Sequence, residues 1–237
     1  ARTTYKPEDL VTAADTTAEH AAACRDLVAG NGGVYNAGPF TPWRYREAGA
    51  ATPISLVFPG GLGGPNWGGT ASDPRSGYVF VATQDVGALG WVRRAQEGAP
   101  VAYEKTAPRR ATFDVPIADE SWPCQKPPWG SLTAINASTG NIAWRIPLGV
   151  TDRLPPGKQN TGRPLLAGPI ATAGGVLFIG STDDNRFRAL DSRTGRQLWV
   201  TTLERRGNAD PMTYQSSNGK QYVATVAADT LRVYGLP

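Results

Sequence analysis

Histidine and cysteine are nearly missing from this 237-residue chain, which holds one His and two Cys. A Cys/His zinc centre cannot be assembled from so few ligands within one chain. A Ser-His-Asp hydrolase would depend on His20 alone, and no G-x-S-x-G elbow is present to carry its nucleophile. Long hydrophobic runs are missing too: none approaches the ~18 residues that cross a bilayer as a helix. Charge of one sign is scarce, with 24 Lys and Arg against 20 Asp and Glu for a net +4. The basic residues sit as scattered doublets, Arg93-Arg94, Arg109-Arg110 and Arg205-Arg206, so the cluster that phosphate binding needs is lacking and no nucleic-acid partner is expected. Ala1 opens the chain without a Met or a charged-then-apolar leader, the pattern expected of a processed or excised segment.

Glycine and proline, by contrast, are plentiful: 28 and 20, together about a fifth of the residues. At that density helices would be interrupted every few residues, which excludes a coiled coil or helical bundle. Seven Trp, eight Tyr and six Phe supply a core, so disorder is excluded as well. The expected class is all-β. One stretch departs from it: within residues 7–30, Thr16 and Glu19 have capping-box spacing, Ala21, Cys24, Leu27 and Val28 fall at helical intervals, and Gly30 supplies a stop. This predicts a short N-terminal helical arm with Cys24 inward and His20 one turn before it, a packing or surface residue.

A repeat appears when later segments are superposed. Ala134, Asn136, Thr139, Gly140 and Trp144 correspond to Ala189, Asp191, Thr194, Gly195 and Trp199 at one constant offset. Each copy predicts a strand, a turn in which Asn or Asp bonds its own backbone and Gly takes positive φ, and a return strand ending on Trp. Four short strands per repeat describe a β-propeller blade. The expected strands of one blade lie near 69–72, 77–83, 130–136 and 141–147, with an insertion at about 90–128. A second uses 168–172, 176–182, 186–191 and 196–203, and a third has 211–214, 221–226 and 231–234 without a fourth. Ile54 to Phe58 is expected to end a preceding blade. The predicted organisation is therefore one partial propeller domain: 1–58 (arm and end of a blade), 59–150, 151–204 and an incomplete 205–237. About three blades fall short of the four to eight that close a ring, so exposed edges and apolar faces call for a partner, the remaining blades.

The signature Ala-x-Asp-x-x-Thr-Gly-x-x-x-Trp at 189–199, with Asn for Asp at 134–144, resembles the tryptophan-docking motif of the dehydrogenases that depend on pyrroloquinoline quinone (PQQ). Gly38-Pro-Phe-Thr-Pro-Trp43, the run from Phe58 to Trp67, Gly168 to Gly174, and Pro211-Met-Thr-Tyr214 are similar to the carboxy-terminal part of the membrane glucose dehydrogenase branch. The resemblance implies about three blades of an eight-bladed ring, a PQQ cofactor with Ca²⁺, a periplasmic location, and a sugar or alcohol substrate losing hydride to the quinone. It also implies that the catalytic Asp and the metal ligands lie in earlier blades, so that this chain carries no catalytic or metal residue and is inactive alone.

The Gly-rich loop 60–69 contains neither a Walker nor a dinucleotide register. Its small residues let backbone approach something flat, beside Asn66 and Trp67. By resemblance these two contact the quinone; the other reading is a tight inter-blade turn with Trp67 packed in a core. Asp183-Asp184-Asn185 and Asp73 read as turn residues, and the Lys158 loop as an exposed connection. Cys24 and Cys124 are either bridged, as the resemblance to a periplasmic family implies, or two separate buried thiols. Two rival functions remain: a non-catalytic propeller adaptor in an assembly, and, from the aromatic content alone, a polysaccharide-binding propeller.

Overall fold

A computed structural model describes residues 1–50 and 52–235. The chain divides into two compact units, one formed by 1–64 and 85–127, the other by 65–84 and 128–237.

In the first unit a 3₁₀ turn at Pro7–Asp9 precedes helix α1 (Ala18–Gly30), the short strand β1 (Val34–Tyr35) and β2 (Ile54–Val57). After β3 (Thr70–Asp73) and β4 (Tyr78–Gln84), which belong to the second unit, come β5 (Ala88–Arg94), β6 (Tyr103–Thr106), β7 (Asp114–Ile117) and β8 (Glu120–Pro123). The helix cap sits one residue later than the pattern suggests. Thr17 is the N-cap and accepts from the His20 N–H at 3.2 Å, while the Thr16 hydroxyl lies 2.8 Å from His20 Nδ1. Two adjacent threonines can each serve, and the one whose neighbour faces the core is diverted to it. His20, Ala21 and Cys24 form the buried stripe of α1.

The sheet of this unit has the order β1-β2-β5-β6, with β1 and β2 parallel. The segment 54–57, expected to end a preceding blade, is thus an interior strand of a mixed sheet. Its partner β5 comes from the stretch read as an insertion, and pairing across so long an interval leaves no local pattern. Tyr5, Phe58 and Phe113 build the adjoining core, with edge-on ring pairs at 5.4 and 6.5 Å. Burial pushes the Tyr5 phenol up to about 12.

The second unit is a set of antiparallel sheets. Strands β9 (Gly130–Asn136) and β10 (Ile142–Pro147) join β4 and β3 in the order β10-β9-β4-β3. Next come β11 (Ile170–Ala171), β12 (Val176–Ile179), β13 (Arg186–Asp191) and β14 (Gln197–Thr202), paired consecutively. Last are β15 (Met212–Gln215), β16 (Gln221–Ala227) and β17 (Thr230–Gly235), three strands without a fourth among the described residues. The first two sheets share one apolar layer that includes Phe80, Leu132, Leu148, Leu165, Leu177 and Leu190. Phe187, Leu203, Val223 and Ala227 fill the layer between the second and third. Sheets that each bury one face on the next in sequence are the construction of a partial propeller.

Both repeated turns have the expected mechanics. Asn136 Oδ1 accepts from the backbone N–H groups of Ser138 and Thr139 at 3.0 and 3.1 Å, and Asp191 Oδ1 accepts from those of Arg193 and Thr194 at 2.9 Å each. Gly140 and Gly195 follow at φ 74° and 73°, a conformation that costs other residues strain. Leu198, Val200, Leu231 and Val233 remain exposed on β14 and β17, apolar surface of the kind that an adjoining element covers.

Candidate functional site

In the second unit the starts of β3, β11 and β15 meet at one end of the sheets. Gly68 and Gly168 touch backbone to backbone there. A Cβ at either would collide with the other's main chain, so only glycine fits at both. The Asp210 carboxylate, just before β15, accepts from the Gly168 N–H at 2.7 Å. One glycine contact and one charge-assisted hydrogen bond therefore fix where the residues before Gly68 emerge.

Those residues are Asn66 and Trp67. Asn66 Oδ1 accepts from the Trp67 N–H at 2.8 Å, and the Asn66 carbonyl accepts from the Gly69 N–H at 3.0 Å, a tight turn with Gly69 at φ 65°. The turn of the second sequence reading is present, but the core packing is not: Trp67 is 67% exposed. A carboxamide nitrogen such as that of Asn66 carries N–H groups chemically suited to donate to a ligand oxygen. An exposed indole beside a close-packed backbone offers a flat apolar face with a polar edge. Asp210 and the Gly68–Gly168 contact are missed by sequence reasoning. Gly68 lies in the Gly-rich loop and Gly168 opens the 168–174 motif, yet nothing in one sequence says that residues a hundred positions apart touch.

The acidic pair 183–184 proves to be a structural node. Asp184 is buried and accepts from the Val150 N–H at 2.9 Å and the Thr182 hydroxyl at 2.6 Å, and it pairs with Arg188 and, at 3.6 Å, Arg186. Burial alone would raise its carboxyl pKa, but the Arg188 contact and the other donors outweigh it and hold the group below the usual range. Asp183 meets Arg163 at 2.5 Å and Arg206 at 3.3 Å, and there burial wins and pushes the carboxyl up. Asp184 is thus held by a backbone N–H, a hydroxyl and two arginines of the fold itself, a structural part rather than a catalytic one. Asp73 caps the β3–β4 turn by accepting from the Arg75 N–H at 3.0 Å.

Two further sequence candidates lie in the first unit. Cys24 and Cys124 are bridged, with Cα atoms 5.4 Å apart. His20 is fully buried beside them, edge-on to Trp122 at 5.3 Å, and burial pushes its pKa down to about 4. One of its ring nitrogens lies within 4.8 Å of both sulfurs, but sulfurs consumed in a disulfide are not thiolate ligands.

The family model described as "PQQ: Glucose/ethanol/alcohol dehydrogenase, beta-propeller domain" matches residues 2–223. Quinate/shikimate dehydrogenase (quinone) of Acinetobacter baylyi is 36% identical over 200 residues, covering 74% of this chain and 24% of that protein. Quinoprotein glucose dehydrogenase of Escherichia coli is 35% identical, covering 81% of this chain and 28% of its own length. Among solved structures, a europium-containing methanol dehydrogenase superposes with TM-score 0.52 at 25% identity, over 72% of this chain and 26% of that one. The chain spans about a quarter of the length of these relatives. Its blade hairpins, its stacked sheets and a match over nearly all its residues make it a member of the PQQ-dependent glucose/ethanol/alcohol dehydrogenase β-propeller family.

Proposed function

We propose that this chain forms part of the PQQ pocket of a periplasmic dehydrogenase acting on a sugar, alcohol or polyol, and that Asn66 and Trp67 are its cofactor contacts. The quinone, when bound, accepts hydride from the alcohol carbon. The observation that carries the reading is the exposed Trp67 indole held next to the Gly68–Gly168 backbone contact. A planar cofactor fits such a surface: the indole face covers one ring face, and the missing side chain at Gly68 keeps the approach open. Asn66 donates from its carboxamide to a quinone oxygen, and Asp210 holds the wall in place through Gly168. The catalytic carboxylate and the Ca²⁺ ligands belong, on this reading, to other sectors of the protein, and the disulfide fits the oxidising compartment.

An adaptor would have no use for the Asn66-Trp67 arrangement, and this separates the two functions. The test is PQQ titration of the full-length protein and its Asn66→Ala variant, followed by dye reduction with aldoses, alcohols and cyclic polyols. A loss of about tenfold or more in quinone affinity is expected from one missing hydrogen bond to a buried polar ligand. Unchanged affinity contradicts the assignment.

A further inference from the structure

The first unit carries a second recognition feature, independent of the quinone reading. It holds eleven Lys and Arg and twelve Asp and Glu, so it is slightly negative as a whole. One corner is positive. Arg44, Arg46, Arg93, Arg94 and Lys105 gather on the 44–46 segment and the β5–β6 hairpin, where the acids are Glu47, Glu97 and Glu104. Interleaved with the cations are aromatics. Arg46 lies over the Trp91 ring at 5.5 Å, Lys105 over Trp43 at 4.2 Å and Arg44 over Tyr35 at 4.6 Å, while Tyr45 and Tyr103, both about half exposed, meet edge to face at 5.8 Å. An ion pair of Arg93 with Glu104 at 2.8 Å braces the hairpin.

Between the 45–49 turn and the 91–96 end of β5 lies an open cleft of about 850 Å³, walled by Tyr45, Arg46, Trp91, Arg93 and Arg94. Ala48, Gly49 and Ala95 line the rest, with Glu47 and Gln96. No branched aliphatic side chain lines it, so it lacks the pockets that anchor leucine-like peptide side chains or acyl chains. It has aromatic walls with polar edges and three guanidiniums, of which Arg93 pairs with Glu104 and Arg46 donates through Nε to the Ala50 carbonyl at 3.2 Å, leaving its terminal N–H groups and those of Arg94 for a ligand. Sugar rings place their C–H faces on such walls, and Arg forks receive carboxylates bidentately.

We propose that this cleft binds an acidic oligosaccharide, a short run of uronic-acid sugars. The half-exposed Tyr45 ring carries a sugar face, and Arg46, held over the Trp91 ring, and Arg94 take successive carboxylates. Aliphatic anchors would favour an acidic peptide or a lipid surface, and the cleft has none.

The experiment is calorimetric titration of the full-length protein with trigalacturonate at low salt, beside maltotriose, poly-glutamate and phosphatidylglycerol vesicles. Arg94→Gln and Arg46→Gln variants are compared; Arg94 is exposed, so its substitution leaves folding intact. Trigalacturonate should bind at least tenfold more tightly than maltotriose, and each variant should lose about tenfold, as expected for a charge-assisted hydrogen bond. The proposal is overturned if trigalacturonate does not bind, if maltotriose binds equally well or if both variants retain full affinity. Tighter binding of poly-glutamate or of vesicles would assign the cleft to a different partner and overturn it as well.

Discussion

The Trp144 indole N–H donates to the Ser192 carbonyl at 3.1 Å, and its ring lies against Gly195, where a Cβ would approach to 2.9 Å. A tryptophan at the end of one hairpin is thereby locked to the turn of the next copy, 48 residues on. The hydrogen bond sets the indole's edge and the glycine leaves room for its face. Trp199, its counterpart, stands edge-on to Tyr234 at 5.2 Å.

Removing this lock should cost stability in a graded way. Trp144→Phe keeps most of the ring and loses the donor, leaving the Ser192 carbonyl short of a partner, for about 1 kcal/mol. Trp144→Ala should cost roughly 3 kcal/mol through the void left between sheets. Gly195→Ala should cost about 1 kcal/mol or more from its positive φ and the ring contact together. Denaturant unfolding of the three variants measures the order, and a Trp144→Phe variant as stable as the parent would show that the indole N–H contributes nothing.

Gly68→Ala is expected to be the most damaging single methyl addition near the site, at ~3 kcal/mol or more, because backbone rather than a flexible side chain stands in its way. Asp210→Ala should cost about 1–2 kcal/mol by leaving the Gly168 N–H without its acceptor. Thermal unfolding of both variants, with PQQ affinity measured alongside, separates the two effects: Asp210→Ala should also weaken the quinone, since it loosens the wall.

Much of the second unit was legible in the sequence because its information is local. Asn136 and Asp191 announce their turns, Gly140 and Gly195 their positive φ, and the strands follow at the expected places, as at 186–191 and 197–202. The first unit was not legible in the same way. The pairing of β2 with β5 joins distant segments, and the parallel contact with β1 has no periodic signature. The cap at Thr17 in place of Thr16 was a choice between neighbours decided by His20, a tertiary contact. At the proposed site, Asn66 and Trp67 were named by resemblance alone, whereas Asp210 acts through a backbone N–H that only the fold brings near.

The disulfide closes a loop of sequence separation 100 and should stabilise by up to about 5 kcal/mol through the unfolded chain. Iodoacetamide should label no thiol in unreduced, denatured protein and two after reduction. A Cys24→Ala/Cys124→Ala variant should melt well below the parent; an unchanged melting temperature would place the arm's stability elsewhere.

His20 makes stability depend on pH. Its folded-state pKa of about 4 lies below the ordinary 6.5, so the unfolded chain takes up its proton first. The contribution is complete above pH 6.5 and is lost as pH falls towards 4, by about 3 kcal/mol at most. Unfolding free energies measured from pH 7 to pH 4 should fall less steeply in His20→Gln than in the parent. Parallel pH profiles would mean that the buried imidazole is not responsible.

The most direct test of the central claim is a structure of the full-length protein loaded with PQQ. The Asn66 carboxamide nitrogen should lie about 3 Å from a quinone oxygen, with the Trp67 ring alongside the cofactor. A cofactor bound out of reach of both residues would contradict the account.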